Sequence, residues 1–71
     1  MSMLKVIEVL AQSDKSWEDA AQTAVAQASK SVDNVASIYI KEMEATVKNG
    51  KIDKYRINAH ISFVLQGTDK L

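Results

Sequence analysis

The sequence predicts a single α+β domain with the order β-α-β-β, in which a three-stranded antiparallel sheet partly wraps around one helix. Three observations favour this fold class: an apolar stripe at helical spacing in the first half, period-two alternation in two long later segments, and an Asn-Gly pair between those segments. A chain of 71 residues accommodates one domain, which is taken to span residues 1–71, with a short tail at residues 67–71.

The first strand and the start of the helix are predicted in the first twenty residues. Leu4–Leu10 is rich in valine, isoleucine and leucine, which is typical of a strand, and a polar connection follows at residues 12–15. Ser16 suits the N-cap of a helix, because its hydroxyl can accept a hydrogen bond from the first turn. Asp19 lies three residues later, as in a weak capping box, so the helix is predicted to begin at Trp17.

The predicted helix has one apolar face and ends at Asp33-Asn34. Its apolar residues recur at intervals of three and four, which is the spacing of neighbours on one helix face. They are Trp17, Ala20, Ala21, Ala24, Val25, Ala28 and Val32. Because most of them are alanine, this helix can lie close against a sheet.

Two long strands are predicted at Val35–Lys48 and Lys51–Leu65, joined by a tight turn. Both residues of the Asn49-Gly50 pair tolerate positive φ, as a two-residue type I′ turn requires. Such a turn places Lys48 opposite Lys51, so the numbers of directly paired residues sum to 99. A β-bulge would shift part of this register.

The simple register sorts the hairpin side chains into an apolar face and a polar face, because directly paired residues lie on the same side of a sheet. The apolar face, expected to receive the helix, contains Ala36, Ile38 and Ile40 opposite Phe63, Ile61 and Ala59, with Ile57 beyond. The polar face pairs Ser37 with Ser62, Tyr39 with His60, Lys41 with Asn58 and Met43 with Arg56. We call it the uncovered face, because no second helix is predicted to pack on it.

Strand length and composition together predict an oligomer. Each long strand would extend roughly 45 Å and the helix about 24 Å, so the hairpin tip, with Val47 and Ile52, extends past the helix. Exposed apolar residues and open sheet edges favour contacts with other subunits. The chain has no cysteine, so subunit contacts replace disulfides as the expected source of stability for so small a domain.

Charge and hydropathy exclude several classes of partner. Nine basic and nine acidic residues are well mixed, so no basic stripe is available to neutralise the phosphates of a nucleic acid. No apolar segment approaches the ~20 residues needed to span a bilayer. The first apolar run is interrupted by Lys5 and Glu8, unlike a signal peptide, and a cytoplasmic protein is expected.

The helix entry has the sequence Ser13-Asp14-Lys15-Ser16-Trp17-Glu18-Asp19-Ala20-Ala21. This segment resembles the helix entry of bacterial dodecins. Further segments resemble the first strand, the hairpin and the last strand of that family: Lys5–Glu8, Asn49–Ile52, Tyr55–Ile57 and Ser62-Phe63. The resemblance is colinear from about Leu4 to Val64.

The resemblance implies a subunit of a hollow homododecamer that stores or sequesters a small molecule and is not an enzyme. Most dodecins bind flavins such as riboflavin or FMN in stacked pairs, and some also bind coenzyme A. The resemblance places ligand contacts at Ser37 and Arg56, and Tyr39 and Asn58 are predicted to bind the ligand with them, because all four lie on the uncovered face. Where the family has a flavin-stacking tryptophan this sequence has Ser37, and Arg56 replaces a glutamine that bonds the flavin edge, so flavin binding is expected to be weakened.

The residues also allow two alternatives to flavin storage to be weighed against it. Glu42 and Glu44 lie two apart on one strand, point to the same face and could bind a hard divalent cation such as calcium. The alternative function is therefore a structural or cation-binding assembly that does not bind flavin. Hydrolase activity is not expected, because no carboxylate is predicted beside His60 to orient the imidazole.

Overall fold

A computed structural model describes residues 3–65 as β1 (Leu4–Ser13), α1 (Trp17–Ser31), β2 (Val35–Lys48) and β3 (Lys51–Val64). The three strands form an antiparallel sheet in the order β1-β3-β2, so the last strand is the central one. This confirms the predicted β-α-β-β fold. β1 is three residues longer than predicted and includes part of the predicted polar connection. The tail predicted at residues 67–71 lies outside the described residues.

The entry to α1 is fixed by two serines. The backbone N–H of Asp19 donates to Ser16 Oγ over 2.9 Å, which confirms Ser16 as the N-cap. The Asp19 carboxylate accepts a hydrogen bond of 2.6 Å from Ser13 Oγ, so the acidic member of the capping box contacts the end of β1. Ser13 Oγ also accepts from the backbone N–H of Lys15 over 2.9 Å. The buried Ser13 hydroxyl is therefore satisfied and ties β1 to α1.

The core forms between the small side chains of α1 and the central strand. Ala20 and Ala24 are buried on the helix, and Ile57, Ala59, Ile61 and Phe63 are buried on β3. Alanine brings the helix axis close to the sheet, and complete burial of each isoleucine contributes about 1.5–3 kcal/mol. Within residues 3–65, no helix is long and apolar enough to cross a membrane.

The hairpin turn is the predicted one, and its tip is exposed. Asn49 has φ 54 and Gly50 has φ 75, as a type I′ turn requires. Val47 pairs with Ile52 at the tip, where they are 68% and 51% exposed. The pairing of β1 with β3 stops at Tyr55, so the tip is a two-stranded extension of a domain measuring 55 × 20 × 13 Å.

The register of the hairpin departs from the simple rule at bulges. Ser37 lies opposite Ser62 and Tyr39 opposite His60, as predicted. One extra residue in β3 near the tip and one in β2 at Lys41 then shift the intervening pairs by one position. A further irregularity at Ala36 places Val35 opposite Phe63, so the predicted pairing of Ala36 with Phe63 is wrong.

The bulge at Lys41 changes which residues of β2 lie on the uncovered face. The predicted pairs of Lys41 with Asn58 and of Met43 with Arg56 are wrong: Glu42 lies opposite Asn58, and Glu44 opposite Arg56. Because side chains alternate between faces, one extra residue transfers the following side chains to the opposite face. Both carboxylates therefore lie on the uncovered face.

Candidate functional site

All six residues predicted to bind a ligand or a metal lie on the uncovered face. They are Ser37, Tyr39, Glu42 and Glu44 of β2 and Arg56 and Asn58 of β3. β1 contributes further residues to this face, because each lies directly opposite a residue of β3 that belongs to it. These are Val6, Glu8, Leu10 and Gln12. The uncovered face is thus a surface of three strands on which acidic, amide and exposed apolar side chains alternate.

The structure does not bring Ser37 and Arg56 together within one chain. Ser37 pairs with Ser62, which is six positions from Arg56 along β3. Six residues of a strand correspond to roughly 20 Å, which is too far for one small ring system to contact both side chains. The hydroxyls of Ser37 and Ser62 hydrogen-bond to each other instead. The two positions at which this sequence departs from the family's flavin contacts therefore do not form one pocket within the described chain.

Arg56 lies in an open groove of about 490 Å³. The groove is lined by Leu10, Ala11, Gln12, Glu42, Met43, Glu44, Arg56, Ile57 and Asn58. Arg56 Nε donates to Gln12 Oε1 over 3.1 Å, and Arg56 Nη1 is 3.9 Å from Glu44 Oε1. Because both charged groups are exposed, water screens their attraction, and the contact contributes little to stability. The guanidinium thus lies between β1 and β2 and partly balances the charge of Glu44.

Asn58 has the one buried side-chain oxygen without a hydrogen-bond partner among residues 3–65. Asn58 lies directly opposite Glu42 and lines the same groove. Leaving a buried carbonyl oxygen without a partner costs about 1–3 kcal/mol. Carboxylate and amide oxygens are the ligands that hard cations prefer. The described residues contain no cluster of three or more His, Cys, Asp or Glu able to hold a metal, so one chain offers only part of a coordination shell.

His60 lies at the centre of the uncovered face beside a carboxylate, that of Glu8. Glu8 Oε2 is 3.7 Å from His60 Nε2, and the ring of Tyr39 lies on the other side with its centroid 6.2 Å from the imidazole. The expectation that no carboxylate lies beside His60 is therefore wrong. It followed from the hairpin alone, whereas Glu8 reaches His60 through the pairing of β1 with β3.

Trp17 contacts the opposite side of the strand that presents the two glutamates. Its Nε1–H donates to the backbone carbonyl of Glu44 over 2.8 Å, and its ring meets Tyr55 edge-on at 4.8 Å. Trp17 was predicted to belong to the buried stripe of α1, and it does pack against the core. The contact with Glu44 was not predicted, because residue spacing along the helix does not show which strand lies under the first turn.

The family assignment rests on the whole chain. The family model described as Dodecin matches residues 3–66. This chain belongs to the dodecin family. The assignment confirms the resemblance found at the helix entry and along the strands, and it agrees with the β-α-β-β topology of the structure.

Similar proteins include dodecins from two bacterial groups. The calcium dodecin of Mycobacterium tuberculosis is 36% identical over 66 residues, which cover 93% of each sequence. Its crystal structure has a TM-score of 0.79 and 38% identity, and the match covers 94% of this chain and 96% of that one. A dodecin variant from Thermus thermophilus has a TM-score of 0.89 at 25% identity and covers 96% of this chain and all of its own. These matches confirm the dodecin fold of this chain.

Proposed function

We propose that this dodecin is a self-assembling binding protein whose uncovered face binds a hard divalent cation such as calcium. One observation supports this function above the others. The bulge at Lys41 places Glu42 and Glu44 on the same face as Asn58, whose buried side-chain oxygen has no hydrogen-bond partner among the described residues. A cation in this groove would satisfy that oxygen and use the acidic charge beside it.

Glu42 is the main candidate ligand, and Glu44 is the second. Arg56 lies 3.9 Å from Glu44, whereas no basic side chain of residues 3–65 is within ion-pair distance of Glu42. Calcium takes about six to eight oxygen ligands, so water and a neighbouring copy would complete the shell. The similarity to a protein named calcium dodecin also supports this choice of cation.

Self-assembly into a hollow homododecamer is part of the same proposal. Leu4, Val6 and Leu10 of the edge strand β1 are exposed by 58%, 54% and 82%. Val47 and Ile52 at the tip are exposed as well. Apolar surface of this extent on a small domain is typical of subunit interfaces, and membership of the dodecin family supports the twelve-subunit form.

Storage of a flavin such as riboflavin or FMN, or of coenzyme A, is the second candidate function. The exposed ring of Tyr39 offers an aromatic surface on the uncovered face, beside His60. Ser37 offers no ring for stacking, and Arg56 is too distant in the same chain to assist there. We therefore propose that flavin binding is weak and that a neighbouring copy would have to supply any second contact.

Calcium titration by calorimetry tests the proposed function. We expect the wild-type assembly to bind calcium, and Glu42→Gln to weaken binding at least about tenfold, since affinity depends on the number of charged ligands. Glu44→Gln should have a smaller effect, because Arg56 already balances part of that charge.

Glu18→Gln is the matched control, because Glu18 is an exposed glutamate in the first turn of α1 and lies off the uncovered face. Its calcium affinity should equal that of the wild type. If the wild-type protein bound no calcium at millimolar concentration, the proposed cation function would be wrong.

A further inference from the structure

We propose that Trp17 is a positioning residue for the cation site, an inference that rests on the proposed function. The indole Nε1–H donates to the carbonyl oxygen of Glu44 over 2.8 Å, a contact between residues 27 positions apart. The carboxylate of Glu44 lies on the uncovered face, whereas α1 packs on the other side of the sheet. The helix entry therefore holds the backbone of a residue whose side chain belongs to the site on the far face.

The part of β2 held by Trp17 lies between two irregularities of the sheet. β2 is an edge strand, so one of its sides has no ladder partner in the chain. The register shifts on either side of residues 42–46 mark two bulges, and each bulge interrupts the ladder. Glu44 is the middle residue of this segment. The hydrogen bond to its carbonyl thus adds a contact from α1 to the pairing with β3 that holds the segment with Glu42 and Glu44.

The aromatic contact of Trp17 keeps the indole in place for this role. The Tyr55 ring meets it edge-on, with centroids 4.8 Å apart and planes at 79°. Tyr55 lies opposite Ala45, the residue next to Glu44 on β2. The indole is also half-buried against the core residues of α1 and β3. The ring is therefore held by packing, and its N–H is directed at one strand position.

The same geometry makes Trp17 a reporter of the site. Trp17 is the only tryptophan in the chain, so its emission comes from one place. Calcium binding to the carboxylates of Glu42 and Glu44 would change the charge next to the peptide group that accepts the indole hydrogen bond. We expect calcium to shift the emission of Trp17, and we expect Glu42→Gln to abolish this shift at calcium concentrations that saturate the wild type.

Trp17→Phe tests the positioning role, because phenylalanine retains an aromatic ring and removes the N–H donor. Native mass and circular dichroism should match those of the wild type. Hydrogen exchange without calcium should be faster in peptides covering residues 42–46, and calcium affinity measured by calorimetry should fall about three- to tenfold, the effect of one hydrogen bond. Tyr55→Phe, which keeps both the ring contact and the indole donor, should leave exchange and affinity unchanged.

The outcomes separate this inference from the proposed function. Calcium binding by the wild type with equal affinity and equal exchange in Trp17→Phe would overturn the positioning role and leave the cation function standing. Absence of calcium binding by the wild type would overturn the cation function. Hydrogen exchange in Trp17→Phe would then show only whether Trp17 holds residues 42–46 in place, because unchanged exchange would contradict that contact as well. If Trp17→Phe did not fold, the emission of the wild type would decide, since an emission unchanged at saturating calcium contradicts the inference.

Discussion

Replacing Ser37 by tryptophan is expected to raise the affinity for riboflavin or FMN by at least about a hundredfold, from a weak wild-type level. An aromatic stacking contact contributes about 0.5–1.5 kcal/mol beyond area burial, and burial of the indole surface adds more. Where two flavins stack as a pair, each would gain such a contact. Flavin fluorescence measures the effect, because stacking on tryptophan quenches it.

The structure has room for the new ring. Ser37 is exposed on the uncovered face, and its only described side-chain partner is the hydroxyl of Ser62, which can bond to water instead. Arg56 lies six positions from Ser62 along β3, so the guanidinium of the same chain does not obstruct an indole at position 37. Only a guanidinium from a neighbouring copy could contact that ring.

Ser37→Leu is the control for apolar bulk without a stacking surface, and it should improve flavin binding little. Tight quenching by the wild-type protein would refute the claim that Ser37 weakens the site. If Ser37→Trp bound flavin no better than Ser37→Leu, the rest of the pocket would also differ from that of flavin-binding dodecins. That result would favour the structural or cation-binding function.

Val47→Asp and Ile52→Asp are each expected to disrupt assembly while leaving the fold of the subunit intact. The wild-type protein should have about twelve times the mass of one chain by light scattering. A charge buried without a partner costs several kcal/mol, and the cost recurs at each copy of the interface. Circular dichroism should change little, because both residues lie beyond the helix in the two-stranded tip and pair with each other.

Val47→Thr is the matched control, because threonine retains the branched shape and the strand preference of valine and adds no charge. It should remain assembled at concentrations where Val47→Asp dissociates. Full assembly of both aspartate variants would show that the tip is not part of an interface. A monomeric or dimeric wild-type protein at micromolar concentration would contradict the dodecamer itself.

The elements of the fold were predictable because their signals are local. The Asn49-Gly50 turn requires two positive φ angles, and the structure has them. Ser16 is followed by a stripe of small apolar residues, and α1 begins and packs as that pattern predicts. A turn or a helix cap is specified by a few neighbouring residues. A single sequence is therefore enough to predict where the helix and the hairpin begin and end.

The composition of the site was less predictable because it depends on a bulge. With the simple register, alternation would have placed Glu42 and Glu44 on the apolar face and Met43 on the polar one. Two charged residues on the apolar face were the signal in the sequence that a bulge was present. One extra residue at Lys41 moves both glutamates to the uncovered face. The energy of a bulge depends on the twist and packing of the whole sheet, so its position does not follow from the hairpin alone.

Contacts between distant elements were the least predictable. Glu8 reaches His60 only because β1 pairs with β3, and Trp17 reaches Glu44 only because α1 crosses the sheet above that strand. No turn or cap specifies either contact, and each depends on tertiary packing. The first joins two strands across the uncovered face, and the second joins α1 to β2 from the opposite side of the sheet.

Because β3 is the central strand, β1 is made first but can pair only after β3 has been made. Partners of β1 lie from 42 positions later, for Ser13 with Tyr55, to 60 positions later, for Leu4 with Val64. The β2–β3 hairpin closes around a two-residue turn, an event of about 1–10 μs, whereas recruiting β1 requires closure of a much longer loop. β1 therefore lacks its partner strand until β3 has been made and has folded back against it. During that time its apolar side chains are available for contacts with other chains, which favour aggregation.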